Sequence, residues 1–315
     1  MRRAAPITAT LCLLLLTVLG GPTFARADEE APDDLTDALA GLRLRSIGPA
    51  LMGGRIADIA VDPRDASTWY LAVGSGGVWK TTNAGVTWTP IFDDQPSYSI
   101  GVVELDPSTP DTVWVGTGEN VSGRHVGWGD GVYKSLDGGG SWRRMGLADS
   151  EHIGEILVDP RDGDRVFVAA EGPLWSSGGE RGLYRTTDGG ETWERVLHVD
   201  DDTGVTSIAF DPRDPDTIWA ATYQRRRRVW SLLAGGPGSG IHKSTDGGDT
   251  WREIERGLPA GDMGKIGLAV SPADPDVVYA TIEAHEDEPR FHRPLDGGET
   301  RDTRKPHLRN VTRPD

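Results

Sequence analysis

Four carboxylates stand on segments rich in other reactive groups: Glu119, Asp130, Glu151 and Glu171. Two such groups facing each other across a cleft, with room for a water molecule between them, can hydrolyse a glycosidic bond with inversion. Their spacing along the chain does not say which of them would pair. Beside them run groups suited to gripping a ligand: Arg124, His125, Trp128, Trp175, Arg181, Tyr223, Arg225, Arg228 and Trp230. Guanidinium forks match carboxylates, so the run from Arg225 to Arg228 beside Tyr223 and Trp230 suits a carboxylate or an acidic glycan. The same run can instead pair with Asp200, Asp201 and Asp202, in exposed ion pairs that contribute about 0–1 kcal/mol each. His125 and His152 are too isolated in sequence to make a metal site. The residues therefore suggest a binding surface first and a hydrolase second, with neither metal nor cofactor.

Rigid elements must hold these segments, and a repeat supplies them. One phrase occurs as Thr81-Thr82-Asn83-Ala84-Gly85-Val86-Thr87-Trp88 and again as Ser135-Leu136-Asp137-Gly138-Gly139-Gly140-Ser141-Trp142. It returns as Thr186-Thr187-Asp188-Gly189-Gly190-Glu191-Thr192-Trp193 and as Ser244-Thr245-Asp246-Gly247-Gly248-Asp249-Thr250-Trp251. Between these fall apolar stretches that end in Asp-Pro, such as Val61-Asp62-Pro63 and Phe210-Asp211-Pro212, each followed by an aromatic stretch such as Val113-Trp114-Val115. The phrase recurs roughly every 50 residues, the length of one four-stranded propeller blade. The expected fold is all-β, a β-propeller of four-stranded antiparallel blades over residues 42–290, with four clear blades and a degenerate fifth. Within a blade, strand A ends at Asp-Pro, strand B is aromatic, strand C reads Gly-x-Tyr/Trp-Lys-Ser/Thr, and strand D follows the Trp. The alternation of apolar and polar residues fits half-buried antiparallel strands.

Asp137, Asp188 and Asp246, with Asn83 in the first blade, fall in the hairpin between strands C and D. There a short side chain accepts hydrogen bonds from its own turn's N–H groups, and the following glycines supply the positive φ values. These acids are committed to their turns and read as structural. Trp88, Trp142, Trp193 and Trp251 read as packing between sheets, where large aromatic area counts most. The phrases resemble the Asp-box (BNR) repeats of sialidases, of xyloglucanase-type glycoside hydrolases and of sortilin-type receptor ectodomains. From Ser46 to Ala284 the chain is similar to large exported bacterial proteins of the sortilin-like or glycosyl hydrolase kind. The architecture hosts enzymes and receptors alike. Xyloglucanase-type enzymes carry an acidic residue in an early Thr-Asp-x-Gly-Gly-x-Tyr-Arg phrase; the matching stretch here runs from Val73 to Lys80, with Gly74 where that acid would stand. A glycine cannot transfer a proton. The resemblance thus implies an exported scaffold for a protein, peptide or glycan ligand, leaning away from an enzyme, with a polysaccharide-cleaving glycoside hydrolase as the alternative.

The order of strands sorts the loops. A–B loops and C–D turns share one face; B–C loops and D–A links share the other and carry all the candidate site residues. Loops on a rigid scaffold are where binding groups usually sit.

The ends of the chain read differently. Residues 1–27 have a positive start, an apolar run around Leu13 to Leu16 and an Ala25-Arg26-Ala27 ending, which together make a secretory signal peptide cleaved near Ala27. The apolar run is too short for a permanent membrane anchor, so a secreted or periplasmic protein is expected. Cleavage removes the single cysteine, Cys12, and makes a chain of formal net charge −16 more acidic still. Such a charge argues against a nucleic-acid partner. Residues 28–41 read as a flexible acidic leader. Leu42 to Ile47 alternates well enough to be a closing strand. Residues 291–315 read as a degenerate blade remnant and a disordered tail, as in an incomplete or truncated propeller, with no pattern for a strand D. Open blade edges of that kind invite self-association.

Overall fold

The structure is a computed structural model and describes residues 55–121 and 126–284, with the backbone of 291–293 and 302–303. The expected signal peptide, acidic leader and closing strand lie outside the described residues.

Apolar and polar residues alternate along each repeat, so one repeat makes a small sheet that buries both faces only against its neighbours. Blade 1 comprises β1 (Ile56–Val61), β2 (Trp69–Val73), β3 (Gly77–Thr81) and β4 (Thr89–Pro90). Blade 2 follows as β5 (Ile100–Leu105), β6 (Val113–Thr117), β7 (Val132–Ser135) and β8 (Arg143–Gly146). Blade 3 has β9 (Ile153–Asp159), β10 (Asp162–Ala170), β11 (Gly182–Thr186) and β12 (Glu194–Leu197). Blade 4 has β13 (Thr203–Asp211), β14 (Asp214–Arg227), β15 (Leu232–Ala234), β16 (Gly240–Ser244) and β17 (Arg252–Glu253), where β15 pairs with an extension of β14. Blade 5 has β18 (Ile266–Val270), β19 (Val278–Ile282), β20 (Phe291–Arg293) and β21 (Asp302–Thr303). Every sheet pairs antiparallel in chain order, and the strands the repeat predicts are the strands found. The fold is a β-propeller of four-stranded blades.

Blade 5 departs from expectation in one respect. A short outer strand does follow Asp302, with Thr303 opposite His292. Edge pairing uses backbone N–H and C=O groups, so a polar segment can supply it.

The core lies between blades. Tyr70, Phe92, Val103, Leu105 and Tyr133 join blades 1 and 2, and Trp114, Met145, Ile156 and Val168 join blades 2 and 3. The strand B aromatic is fully buried in four blades: Tyr70, Trp114, Phe167 and Trp219. Above it, a strand C cation reaches into the next blade's turn. Lys80 donates to the Gly138 carbonyl at 2.9 Å while lying 4.9 Å over the Tyr70 ring. Lys134 donates to Gly189 at 3.0 Å, 4.6 Å over Trp114, and Arg185 donates to Gly247 at 2.9 Å. Two of the turn tryptophans answer in the other direction, whereas Trp251 donates to Gly248 of its own turn at 3.0 Å. Trp142 and Trp193 donate their indole N–H to Ile91 and Met145 of the preceding blade, both at 2.7 Å.

A second link, on the A–B face, was not legible in the Asp-Pro ending alone. The triplets Asp62-Pro63-Arg64, Asp159-Pro160-Arg161 and Asp211-Pro212-Arg213 fold so that the Arg bonds its own Asp and an Asp of the next blade. Arg64 reaches Asp111 at 2.7 Å, Arg161 reaches Asp216 at 2.7 Å, and Arg213 reaches Asp276 at 2.8 Å. Blade 2 has Ser108 in place of the Arg and lacks this link.

The repeated turns close as the sequence implies. In blade 3 the Thr186 hydroxyl donates to Asp188 Oδ1 at 2.7 Å and accepts from Gly190 N at 2.9 Å. Asp188 also accepts from Thr192 N at 2.9 Å. Such donors, hydroxyls foremost, hold the Asp137, Asp188 and Asp246 carboxyls down to about 2. Their contribution to stability is therefore present above pH 4 and is lost only as pH falls towards 2. The turn also needs a left-handed residue after the acid: Gly138 has φ 65°, but blade 1 places Ala84 there at φ 54°. A left-handed conformation costs a residue with Cβ about 1–2 kcal/mol, part of which glycine's greater freedom in the unfolded chain offsets. Ala84→Gly is therefore expected to stabilise the fold by about 0.5 kcal/mol, read as a rise in the denaturation midpoint at unchanged slope.

Candidate functional site

The B–C loops and D–A links do gather on one face, opposite the turns. Between blades 1 and 2 this face opens into a cleft of about 550 Å³, lined by Ser75, Pro96, Ser97, Tyr98, the 126–129 segment and Asp130. Two aromatic rings flank it in water: Trp128 is 70% exposed and Tyr98 67% exposed. Asp130 is held by the Tyr133 hydroxyl, which donates at 2.7 Å, and by Arg144 at 3.5 Å. Burial and the hydrogen bond to Asp130 raise the Tyr133 phenol well above its ordinary range.

Beneath the cleft lies Glu119, fully buried. Arg55 grips both of its oxygens, at 2.5 and 2.7 Å, while Ser75 Oγ and Gly127 N donate at 3.2 and 3.0 Å. A Cβ on Gly74 would collide with this carboxylate. The glycine that breaks the expected acidic phrase thus makes room for an acid delivered by blade 2.

The loop that carries Glu119 then crosses the propeller axis. There a cavity of about 470 Å³ is lined by the starts of the inner strands of all five blades. Asn120 sits at its mouth and donates to Gly154 and Thr206, while Lys265 donates to the Asn120 carbonyl at 2.8 Å. Arg225 donates to the Val121 carbonyl at 2.7 Å and to Glu171 at 2.8 Å, and Lys265 lies 3.3 Å from the other Glu171 oxygen. Residues 120–121 of blade 2 are thereby tied to blades 3, 4 and 5. Burial would raise the Glu171 carboxyl, but Lys265 and Arg225 hold it below its ordinary value. Burial drives the adjacent His152 down to about 4, which leaves it neutral.

These contacts sort the expected ligand groups. Arg225 is buried in the ion pair just described. Arg181 is buried and spends its guanidinium on the carbonyls of Glu171, Pro173 and Ser176. Tyr223 is buried, with Arg225 6.0 Å over its ring. These three are internal: long β14 carries Tyr223 and Arg225 back under the loops, and Arg181 is held by the carbonyls of its own loop. Arg226 pairs with Asp202 at 2.9 Å, as the alternative reading of the arginine run required. Trp175, Arg228 and Trp230 point outward, the last 80% exposed. Glu151, half-buried with φ 52°, has its carboxyl raised by burial. Arg124 and His125 lie outside the described residues. Among the described residues no three His, Cys, Asp or Glu side chains come together as a metal site.

A group missed from the sequence lies on the inner strands. Asp58 and Glu155, of blades 1 and 3, line the axial cavity, and Glu104 of blade 2 lies close enough to both to feel their charges. Asp58 accepts from Val103 N at 3.1 Å and Glu155 from Ile208 N at 2.7 Å, each clipping the next blade. Burial raises the Glu155 carboxyl to about 7 and that of Glu104 to about 8, where the charges of Asp58 and Glu155 add to the effect. The available signal was an acid inside an apolar strand such as Ile100–Leu105, at a position where an apolar residue was expected.

An arc of inner strands ringed by four-stranded sheets, with a loop face holding an open aromatic cleft, defines this chain as a β-propeller with a ligand-accessible top face. The family model Sortilin-Vps10 (Sortilin, neurotensin receptor 3) matches residues 130–302, more than half of the chain. The chain belongs to the Sortilin-Vps10 family. Among curated relatives, xyloglucanase Xgh74A of Acetivibrio thermocellus is 28% identical over 244 residues, covering 67% of this chain and 27% of that protein. A xyloglucanase of a Paenibacillus species is 26% identical over 246 residues, covering 69% of this chain and 22% of that protein. The chain thus spans about a quarter of the length of these relatives. Among solved structures, the GH74 xyloglucanase from Xanthomonas campestris superposes with TM-score 0.58 at 21% identity, covering 78% of this chain and 38% of that one. The GH74 enzyme of Niastella koreensis gives 0.56 at 21% identity, covering 77% and 37%.

Raised carboxyls have a defined consequence for stability. Glu104 is neutral below pH 4.5 whether folded or unfolded; between pH 4.5 and 8 ionisation favours the unfolded chain, so stability falls as pH rises. Glu104→Gln is expected to raise the melting temperature at pH 8 by several degrees and to leave it nearly unchanged at pH 4.5, as followed by calorimetry.

Proposed function

We propose that this propeller holds a polysaccharide chain across the cleft between blades 1 and 2, as the glycan-binding part of a glycoside hydrolase of the xyloglucanase kind. The observation that carries the reading is the cleft itself: two exposed rings, Tyr98 and Trp128, flank a polar floor with Asp130 on its wall. Sugar rings pack their C–H faces on aromatic side chains, and a few placed polar groups fix their orientation. The relatives' names support an enzyme better than the non-catalytic reading that the residues alone favoured. In hydrolysis Asp130 serves as one member of the carboxylate pair that such chemistry requires. The turns then act as Asp boxes of the scaffold, and the protein works outside the cytoplasm after cleavage near Ala27. Among the described residues no helix is long and apolar enough to cross a membrane.

One observation favours a second reading, a scaffold that binds without turnover. The two buried loop-face glutamates, Glu119 and Glu171, are both clasped by cations. The two readings separate in one experiment on soluble xyloglucan and a panel of glucans. Trp128→Ala and Tyr98→Ala are each expected to weaken binding about tenfold, the loss of one stacking contact of about 1.4 kcal/mol. Asp130→Asn is expected to abolish release of reducing sugar while retaining binding. Binding without any sugar release by the unaltered protein would select the scaffold, and no binding to any member of the panel would remove both glycan readings.

A further inference from the structure

We propose that the β14–β15 hairpin of blade 4 dips its tip into an anionic lipid surface and holds the protein peripherally on a membrane. The hairpin is separate from the cleft between blades 1 and 2, so this inference does not rest on the glycan reading. Arg225, Arg226 and Arg227 pair with Ala234, Leu233 and Leu232 along the ribbon. The chain turns at its end through Val229 and Trp230, with Arg228 and Ser231 exchanging backbone hydrogen bonds at 2.8 and 3.3 Å. The base is pinned. Arg225 is buried on Glu171, Arg226 pairs with Asp202, and the Arg227 N–H donates to the Leu174 carbonyl at 2.8 Å. The tip is bare. Val229 is 89% exposed, Trp230 80%, Leu232 46% and Leu233 39%. Single exposed apolar residues need no explanation, but a contiguous group of them marks a surface that meets something.

Two observations select lipid over a protein partner. Successive residues of a strand point to opposite faces, so Leu232 and Leu233 make the ribbon apolar on both sides. A protein groove covers one side of a ribbon, whereas lipid surrounds a tip. The second observation is charge. The chain has 49 Asp and Glu residues, yet none lies between Thr217 and Thr245, the stretch that holds the four consecutive arginines. Arg228, at the tip, makes no ion pair among the described residues. With Leu232 and Leu233 it lines a recess of about 250 Å³, where Asp202 is already matched by Arg226. That recess leaves one guanidinium fork for a phosphate headgroup. The Trp230 indole, apolar with one polar edge, suits the boundary between headgroups and acyl chains. Only the turn enters, because unpaired backbone groups are not tolerated deeper in the hydrocarbon.

The test is co-sedimentation of the exported, purified protein with vesicles of phosphatidylcholine, alone or mixed equally with phosphatidylglycerol. Binding to the mixed vesicles is expected, about fivefold tighter than to phosphatidylcholine alone, the preference that one arginine near an anionic surface confers. Val229→Ser with Trp230→Ser should abolish binding at an unchanged melting temperature, since both side chains are exposed. Arg228→Gln should remove only the preference for the anionic vesicles. Leu136→Ser, at an apolar residue 71% exposed on the opposite face, should bind as the parent does. A dye reports the address. With the single cysteine changed, Cys12→Ser, an environment-sensitive fluorophore on Ser231→Cys should shift to the blue with mixed vesicles, and one on Leu136→Cys should not. No binding to either vesicle, the result if the hairpin meets a protein instead, would overturn the proposal. So would equal binding to both vesicles, binding that survives the paired serines, or a fluorophore at position 231 that stays in water.

Discussion

No blade of this protein can bury its own sheet, and the molecule rests on how one blade is fastened to the next. The fastening follows one grammar in full at the first two junctions, between blades 1 and 2 and between blades 2 and 3. A strand C cation crosses the buried strand B aromatic and binds a glycine carbonyl in the following turn, as Lys134 does over Trp114 towards Gly189. The following turn's tryptophan leans back and donates to the earlier blade, as Trp193 does to Met145. A cation over a ring gains from the ring's negative face, and it gains more where water is excluded. Because each link spans two blades, loss of one loosens a junction and not merely a loop. In blades 2 to 4 the carboxylate closes the turn that presents this glycine carbonyl, so turn and junction are one device.

The same constraint explains the loop face. Segments that must bridge neighbouring blades over the axis turn their charged groups inward, where ion pairs and backbone bonds satisfy them. Glu119, Glu171 and Arg225 are used in this way. A buried charge that loses its partner is costly, several kcal/mol by general experience, so these residues are committed to the fold before any ligand arrives. What is left for a ligand is the outward set: Tyr98, Trp128, Asp130, Trp175, Arg228 and Trp230. It is mostly aromatic, and its richest grouping is the cleft between the first two blades.

Legibility followed periodicity. The blades, the strand roles, the turn acids and the sorting of loops onto two faces were all readable, because each rests on a local phrase repeated at fixed spacing. Asp188 could be assigned to its turn from Thr186 and Thr192 alone. The arginine run could not be resolved. Arg225 lies within β14 and Arg228 just past its end, and the first is buried because Glu171 and the Val121 carbonyl, both distant in sequence, receive it. The Asp-Pro-Arg links were visible as text but not as contacts, since the second aspartate sits about 50 residues further on, one blade later. The space beside Gly74 was the least accessible: a missing side chain in blade 1 is answered by Glu119 of blade 2, and nothing local connects the two.

The short crossing at Asn120 has a chemical corollary. Asn120, Val121 and Ser122 spell the acceptor sequence for N-linked glycosylation, yet the amide nitrogen that would carry the sugar already bonds carbonyls of two other blades. In a host with the glycosylating machinery, modification before folding and latching of the mouth would therefore compete for one nitrogen atom. A chain that lost that race would carry a bulky hydrophilic group where blades 2 to 5 ought to converge.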